Sequence, residues 1–244
     1  MEVPHFIVSD VHLGAIPEAT ERAFLRFLDH VGKNGRALLV AGDLFDFWFE
    51  YGRIVPGEYF RVLAALAELV ESGIRVEMVG GNHDAWGGRY LREEVGMTFT
   101  PDTLSTVIAG RPALVAHGDG LGAGDYKYRA LKAVIRSRPA IAAFRALHPE
   151  LGHRLARFVS RTDAHGGPGD PTRGRARFLE AWAVERLREA EELAWVVCGH
   201  VHFPTIKAVD GQGYYLNAGD WLFHHSYIEV GGDAVPELKR WPVG

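Results

Sequence analysis

Three features are scarce or missing in this chain of 244 residues, and each absence narrows the class of protein. Cysteine occurs once, at Cys198, which excludes an intramolecular disulfide and is typical of a reducing compartment. No apolar run approaches the roughly 18 residues of a membrane span, so no transmembrane helix is expected. The N-terminus has no basic segment ahead of an apolar run, so we predict no signal peptide and a location in the cytoplasm.

What the chain does contain is an ordinary globular composition with an uneven distribution of charge. Hydrophobic residues make up 47% and charged residues 24%, which argues against disorder. The net charge is −4, but Tyr126–Arg177 carries twelve Lys and Arg against three Asp and Glu. This basic segment favours an anionic partner, and a solvated helical surface is the alternative interpretation. Aromatic residues are not interleaved with the basic ones beyond Tyr126 and Tyr128, so we expect no nucleic-acid partner.

The order of apolar runs predicts the fold class. His5–Val8, Ala37–Val40 and Ile74–Val79 predict buried strands, and amphipathic helices separate them, the second spanning about Glu58–Glu71. Strand and helix in alternation indicate an α/β layer with parallel strands. The second half of the chain predicts further elements: a hairpin of Leu104–Ala109 and Pro112–Ala116, helices in Tyr126–Arg161 broken near Pro139 and Pro149, a helix over about Arg173–Glu192, a strand at Trp195–Val197, a hairpin of Thr205–Val209 and Tyr214–Asn217, and a strand at Ser226–Val230.

Five predicted strands end in segments rich in Gly and in metal-binding residue types. These segments are Asp10-Val11-His12, Gly42-Asp43-Leu44-Phe45-Asp46, Gly81-Asn82-His83-Asp84, His117-Gly118-Asp119 and Gly199-His200-Val201-His202. Strand ends are where ligands bind in open α/β sheets. Asp10 and His12 are two residues apart, so on an extended chain both side chains point to the same side, and His200 and His202 share that spacing. Each segment alone is weak, but five together predict a metal cluster that neutralises the buried charges.

This ordered set of segments resembles the calcineurin-like metallophosphoesterase superfamily over about residues 5–230. The resemblance implies two mixed β-sheets flanked by helices and two divalent metal ions, with Mn²⁺ expected and Fe or Zn²⁺ as alternatives. It implies that His83 is the catalytic histidine and that the Asp46 carboxylate orients it. It also implies the metal ligands: Asp10, His12 and His202 on the first ion, Asn82, His117 and His200 on the second, and Asp43 bridging both.

A narrower resemblance concerns the basic segment and the C-terminal part. The stretch His117–Tyr128 and the sequence Asn217–Trp221 are similar to the UDP-2,3-diacylglucosamine pyrophosphatase family of lipid A biosynthesis. This implies hydrolysis of the pyrophosphate of UDP-2,3-diacylglucosamine to lipid X and UMP. It also implies one domain over residues 1–244 with a basic helical cap at residues 126–177, which we call the cap segment. The implied substrate-binding residues are Asn82, His83, Asp125 and His200.

The cap segment alternates apolar residues with arginines, a pattern that suits a lipid-phosphate substrate or an anionic membrane surface. We therefore expect peripheral contact with the inner face of the inner membrane and no protein partner. A plain amphipathic hairpin packed on the core is the alternative. The apolar candidates are Ile135, Ile141, Phe144, Leu147, Leu151, Leu155, Phe158 and Val159, and the arginines are Arg136, Arg138, Arg145, Arg154, Arg157 and Arg161.

Two other functions remain compatible with these motifs. A phosphodiesterase or phosphatase of broad specificity would share the metal site, and His83 stands where the best-known lipid enzymes of the family carry Arg. A non-catalytic scaffold of the same fold would be expected to lack ligands or the catalytic histidine. All seven ligand positions and His83 are present, which argues against the scaffold.

Overall fold

The computed structural model describes residues 3–52, 54–121, 126–160 and 172–243. The strands in this part of the chain are β1 (His5–Val8), β2 (Ala37–Val40), β3 (Arg75–Val79), β4 (Thr98–Thr100), β5 (Thr103–Ile108), β6 (Arg111–Ala116), β7 (Trp195–Cys198), β8 (Thr205–Val209), β9 (Gly213–Asn217), β10 (Ser226–Val230) and β11 (Pro236–Arg240). The α-helices are α1 (Glu18–Asn34), α2 (Phe60–Glu71), α3 (Tyr126–Ile135), α4 (Arg138–Arg145), α5 (Pro149–Ser160) and α6 (Thr172–Glu189).

The strands form two mixed sheets, as predicted. The first has the order β11-β10-β1-β2-β3-β4, in which β1 to β4 are parallel. The second has the order β5-β6-β7-β9-β8, in which β6, β7 and β9 are parallel. The two expected hairpins are present as β5–β6 and β8–β9.

The alternation of buried side chains along each strand sets the layers of the molecule. In β1, Phe6 and Val8 join the apolar cluster that contains α1 and α2, whereas Ile7 joins the cluster between the two sheets. In β7, Val197 lies between the sheets and Val196 packs against residues of α6. Because the central strands are apolar on both faces, the result is a helix–sheet–sheet–helix sandwich.

Several element boundaries differ from those predicted. The residues before Phe60 form a short 3₁₀ turn, Gly57–Tyr59, so α2 begins later than Glu58. Helix α6 ends at Glu189 rather than near Glu192, and the acidic residues after it oppose the negative end of the helix dipole. Strands β4 and β11 were not predicted, because β4 is three residues long and β11 is a largely exposed edge strand.

Helices α3, α4 and α5 follow β6 and form the described part of the cap segment together with residues 172–177. The predicted helix breaks are present, and both prolines lie in first turns. Pro139 lies in the first turn of α4, where the Ser137 hydroxyl accepts a hydrogen bond from Ala140 N at 3.4 Å, and Pro149 is the first residue of α5. Within the described ranges, no helix is long and apolar enough to span a membrane.

Candidate dinuclear metal centre

The carboxyl ends of β1, β2, β3, β6 and β7 meet at one cleft. The cleft brings together every described residue for which a metal or catalytic role was predicted, namely Asp10, His12, Asp43, Asp46, Asn82, His83, His117, His200 and His202. Asp125, predicted to bind substrate, lies outside the described residues. Most of these side chains are buried, and Asp10 is not exposed at all. The five sequence segments therefore form a single polar cluster inside the protein.

One set of donor atoms comes from the loops that follow β1 and β7. The ligand atoms of Asp10, His12 and His202 lie within 4.8 Å of one another. His12 Nε2 and His202 Nε2 are 3.3 Å apart, and His202 Nε2 is 3.4 Å from Asp10 Oδ1. Among the described residues, the buried Nδ1 atoms of His12 and His202 have no hydrogen-bond partner. Nitrogen and oxygen donors packed this closely suit a cation between them.

A second set of donor atoms surrounds the Asn82 side chain. Asn82 Oδ1 lies 3.3 Å from His117 Nε2 and 3.1 Å from His200 Nδ1. His117 Nδ1 donates to the carbonyl of Ala41 at 2.9 Å, which fixes the ring and directs Nε2 into the cleft. This anchoring by a backbone carbonyl is typical of metal-ligating histidines.

Asp43 lies between the two sets. Its carboxylate is within 4.8 Å of ligand atoms of Asp10 and His117, and likewise of His12 and His83. Asp43 Oδ2 is 3.1 Å from His117 Nε2. This central position is the one that a carboxylate shared by two cations must occupy.

His83 is held from two sides. Its backbone N–H donates to Asp43 Oδ1 at 2.9 Å, and its Nδ1 donates to the backbone carbonyl of Asp46 at 2.8 Å. The Asp46 carboxylate, which was expected to orient the ring, lies 3.7 Å from the same Nδ1. Because Nδ1 faces Asp46, Nε2 faces the cleft, 3.9 Å from Asp43 Oδ2.

The electrostatics of the cleft fit bound cations. Burial raises the pKa of Asp10 well above its usual range, because removal from water disfavours the charged carboxylate. Burial also opposes ionisation of Asp43, but the surrounding histidines, chiefly His117, hold its pKa well below the usual range. Burial lowers the pKa of His200 to about 3 and that of His202 to about 4, which leaves both imidazoles neutral. Burial opposes the charge on His117, but the Asp43 carboxylate raises its pKa to about 10. Buried carboxylates, an amide and imidazoles, without thiolate, suit Mn²⁺, Fe or Zn²⁺.

The backbone at these ligands differs from the extended geometry that the sequence suggested. Five of them have φ between 51° and 68°, in the left-handed region: Asp10, His12, Asp43, His200 and His202. Backbone hydrogen bonds from Asp10 N to Gly42 O and from His12 N to Asp43 O, each 3.0 Å, hold the first two turns. The side chains converge because the chain turns sharply at each ligand, and strain of this kind concentrates at functional sites.

Asp84 is a site residue for which the sequence predicted no role. Its fully buried carboxylate accepts hydrogen bonds from the backbone N–H groups of Gly81 at 2.7 Å, Leu44 at 2.7 Å and Asp43 at 3.3 Å. Burial and the neighbouring Asp43 raise the pKa of Asp84 to about 6. The side chain therefore joins the loops after β2 and β3, and its place at the end of the Gly81–Asp84 motif is the only sequence signal for this role.

Comparison with known proteins is consistent with this geometry. The profile of the family described as calcineurin-like phosphoesterase matches residues 4–204. The UDP-2,3-diacylglucosamine hydrolase of Porphyromonas gingivalis (strain ATCC BAA-308 / W83) is 28% identical, over 94% of this chain and 95% of that protein. The protein of the same name from Escherichia coli O7:K1 (strain IAI39 / ExPEC) is 30% identical, over 96% of this chain and 98% of that protein.

Among solved structures, a dimetal phosphatase from Danio rerio aligns with a TM-score of 0.49 and 10% identity, over 99% of this chain and 100% of that chain. The sequence motifs, the two mixed sheets and the match to the family profile agree with one another. Since that profile spans most of its length, the chain belongs to the calcineurin-like phosphoesterase family.

Proposed function

We propose that the protein is a dinuclear-metal hydrolase that cleaves the pyrophosphate of UDP-2,3-diacylglucosamine to 2,3-diacylglucosamine 1-phosphate (lipid X) and UMP. The observation that carries the proposal is the position of Asp43 between two sets of donor side chains at one cleft. Proteins named for hydrolysis of this substrate are similar to the chain over nearly its full length, which supports the choice of substrate.

In this proposal the first set of donors and Asp43 hold one divalent cation, and the second set and Asp43 hold the other. We expect Mn²⁺ at both positions, with Fe or Zn²⁺ as alternatives. Two such cations, when bound, polarise the phosphoryl group and make water a better nucleophile at neutral pH. The ligands are Asp10, His12 and His202 for the first cation, Asn82, His117 and His200 for the second, and Asp43 for both.

The protein's own catalytic group in this scheme is His83. Its Nδ1–H donates a hydrogen bond to the Asp46 carbonyl, so Nε2 is the atom that can hold or donate a proton in the cleft. The Asp46 carboxylate, 3.7 Å from Nδ1, stabilises the protonated ring. Asn82, His83, Asp125 and His200 are the residues that we propose to contact the substrate.

The cap segment supplies the surface that we propose for the acyl chains. Leu131 and Val134 on α3 and Leu151 and Leu155 on α5 are each about half exposed or more. Phe144 of α4 packs on Phe49 at a ring distance of 4.7 Å, so α4 is in contact with the loop that follows β2. The side chains of Arg157, Phe158 and Val159, and residue Arg161, lie outside the described part of the cap segment.

Exposed arginines accompany these apolar side chains. Arg138, Arg145 and Arg154 are exposed on α4 and α5, close in sequence to the exposed leucines. Apolar groups flanked by cations suit the interface of an anionic bilayer. We therefore propose peripheral contact with the inner face of the inner membrane, through the cap segment.

A comparison of three substrates tests the proposed function. We expect the reconstituted enzyme to hydrolyse UDP-2,3-diacylglucosamine with a far higher kcat/KM than deacylated UDP-glucosamine or a chromogenic phosphodiester. Remote apolar contacts contribute about 0.8 kcal/mol per buried CH₂, whereas the cations act only on phosphorus. Equal kcat/KM on all three substrates would indicate a phosphodiesterase of broad specificity, and no turnover of any would indicate a non-catalytic scaffold.

A further inference from the structure

One face of helix α3 is bound to the body of the protein through Asp119. Tyr128 Oη donates to Asp119 Oδ2 at 3.0 Å, and Lys132 Nζ lies 2.9 Å from the same oxygen. Arg136 Nη2 is 3.4 Å from it. Tyr128 and Lys132 lie one turn apart on one face of α3, and Arg136, the residue that follows the end of α3, continues this four-residue spacing. Asp119 is buried and stands two residues after the predicted ligand His117.

Arg136 reaches further than the other two side chains of this face. Its Nη1 donates to Asp102 Oδ1 at 2.6 Å and to the carbonyl of Pro101 at 3.0 Å. Its Nη2 donates to the carbonyl of Gly81 at 3.1 Å as well as to Asp119. One guanidinium therefore connects α3 to the loops that follow β3, β4 and β6. A guanidinium has five N–H donors in a rigid plane, which a lysine ammonium cannot reproduce.

Gly81 is the point at which this contact meets the metal centre. The Gly81 N–H donates to Asp84 Oδ1 at 2.7 Å, and its carbonyl accepts from Arg136. A Cβ on Gly81 would clash with Asp43 Oδ1, so the Gly81 backbone lies directly against the central carboxylate. The next residue is Asn82, whose side-chain oxygen lies between two imidazoles of the second set. Arg136 and Asp84 together fix the backbone from which Asn82 projects.

We propose that Arg136 is a positioning residue that sets Asn82 for the second cation and thereby couples α3 to the metal centre. The inference rests on the proposed function in that it takes Asn82 as a ligand. Attachment of α3 to the body of the protein does not by itself account for the contacts of Arg136, because Tyr128 and Lys132 already bind Asp119. The end of the helix is also held, since Trp86 Nε1 donates to the carbonyl of Ile135 at 3.2 Å.

The first test is a Mn²⁺ titration of the metal-free full-length protein carrying Arg136→Gln, with Arg129→Gln as the matched control. Arg129 is on α3 and stacks on Tyr126, with the guanidinium carbon 4.6 Å from the ring centre. We expect two Mn²⁺ sites in wild type and in the control. In the Arg136 variant we expect one site to weaken about tenfold or more, the loss typical of one charge-assisted hydrogen bond.

Kinetics on a chromogenic phosphodiester give a second readout that does not involve the lipid. With limiting Mn²⁺, we expect Arg136→Gln to lower kcat about tenfold with little change in KM, and saturating Mn²⁺ to restore part of the loss. A protein in which neither wild type nor variant cleaves any phosphoester would count against the proposed function, whereas its Mn²⁺ isotherms would still decide the role of Arg136.

Arg136→Lys keeps the test decisive if the glutamine variant does not fold. The ammonium retains the charge beside Asp119 and Asp102 but cannot also bond the Gly81 carbonyl. We expect this variant to keep the wild-type Tm and still to bind the second Mn²⁺ more weakly. Wild-type Mn²⁺ isotherms for Arg136→Lys, or for a folded Arg136→Gln, would overturn the inference.

Discussion

At the scale of single residues, the cleft depends on backbone conformations that L-residues rarely adopt. Asp10, His12, Asp43, His200 and His202 all have positive φ. Each such residue costs about 1–2 kcal/mol, and the surrounding hydrogen bonds must offset that strain. The fold thus holds the donor atoms in place before any cation arrives, which limits reorganisation on binding.

His83→Ala separates catalysis from metal binding at this scale. His83 Nε2 faces the cleft, while its Nδ1 is bound to the Asp46 carbonyl. We expect the variant to bind two Mn²⁺ ions as wild type does and to lose on the order of 10²-fold in kcat, as is usual for a general acid. Metal titration and steady-state kinetics measure the two effects. Unchanged kcat would assign His83 a structural role only.

Sequence reasoning selected these candidate donor residues because metal-binding residue types follow the strand ends, and the family resemblance supplied their assignment to two cations. It could not predict how they converge, since left-handed φ at Asp10 or His200 depends on hydrogen bonds to other loops. Nor could it distinguish Arg136, which turns inward to the loops, from the exposed Arg138 two residues later. Roles that depend on contacts distant in sequence leave no local pattern.

At the scale of elements, the strongly periodic segments were predictable and the short edge strands were not. The buried strands β1, β2 and β7 are short apolar runs, which tertiary packing on both faces explains. Strand β4 pairs with β3 over only three residues, and β11 lacks apolar alternation because most of its side chains are exposed. Pairing with a neighbour, rather than local propensity, makes these two segments strands.

The contact between α5 and the loop after β2 leads to a prediction about Gly152. A Cβ there would lie too close to Tyr51 Oη, a buried hydroxyl without a hydrogen-bond partner among the described residues. We expect Gly152→Ala to lower the free energy of unfolding by about 1–3 kcal/mol through overpacking. Tyr51→Phe alone should be nearly neutral, and Gly152→Ala should cost less in the Tyr51→Phe background. Additive effects in this double-mutant cycle, measured by urea unfolding, would show that the hydroxyl is not the obstacle.

At the scale of the whole molecule, His5 links stability to pH at the end of the sandwich opposite the cleft. Burial, with help from Arg75 and Arg36, lowers the pKa of His5 to about 4. The unfolded chain binds the proton more readily, so stability is fully present above about pH 6.5 and falls as the pH drops toward 4.

Urea unfolding at pH 7 and pH 4.5 measures this linkage. Between those values we expect wild type to lose about 2 kcal/mol more than His5→Gln, whose amide oxygen can still accept from Ala109 N. Both proteins share all other titrating groups, so the difference isolates His5. Equal losses in the two proteins would show that the native and unfolded pKa values of His5 coincide.

The basic surface of the cap segment predicts salt-sensitive binding to anionic vesicles. Each exposed Arg near the surface contributes about 1 kcal/mol, and the attraction is screened over about 8 Å at physiological ionic strength. We expect Arg145→Gln with Arg154→Gln to weaken co-sedimentation with phosphatidylglycerol vesicles. The control pair, Arg22→Gln with Arg26→Gln, removes the same charge from exposed positions of α1 and should bind as wild type. Equal weakening by both pairs would point to net charge rather than to the cap segment.

The central claim is that the strand ends build a two-cation centre shared through Asp43. Anomalous diffraction from crystals grown with Mn²⁺, recorded at the manganese edge, tests it most directly. We predict two peaks on either side of Asp43, one bound by Asp10, His12 and His202 and the other by Asn82, His117 and His200. A single peak, or manganese bound away from the Asp43 carboxylate, would contradict the account.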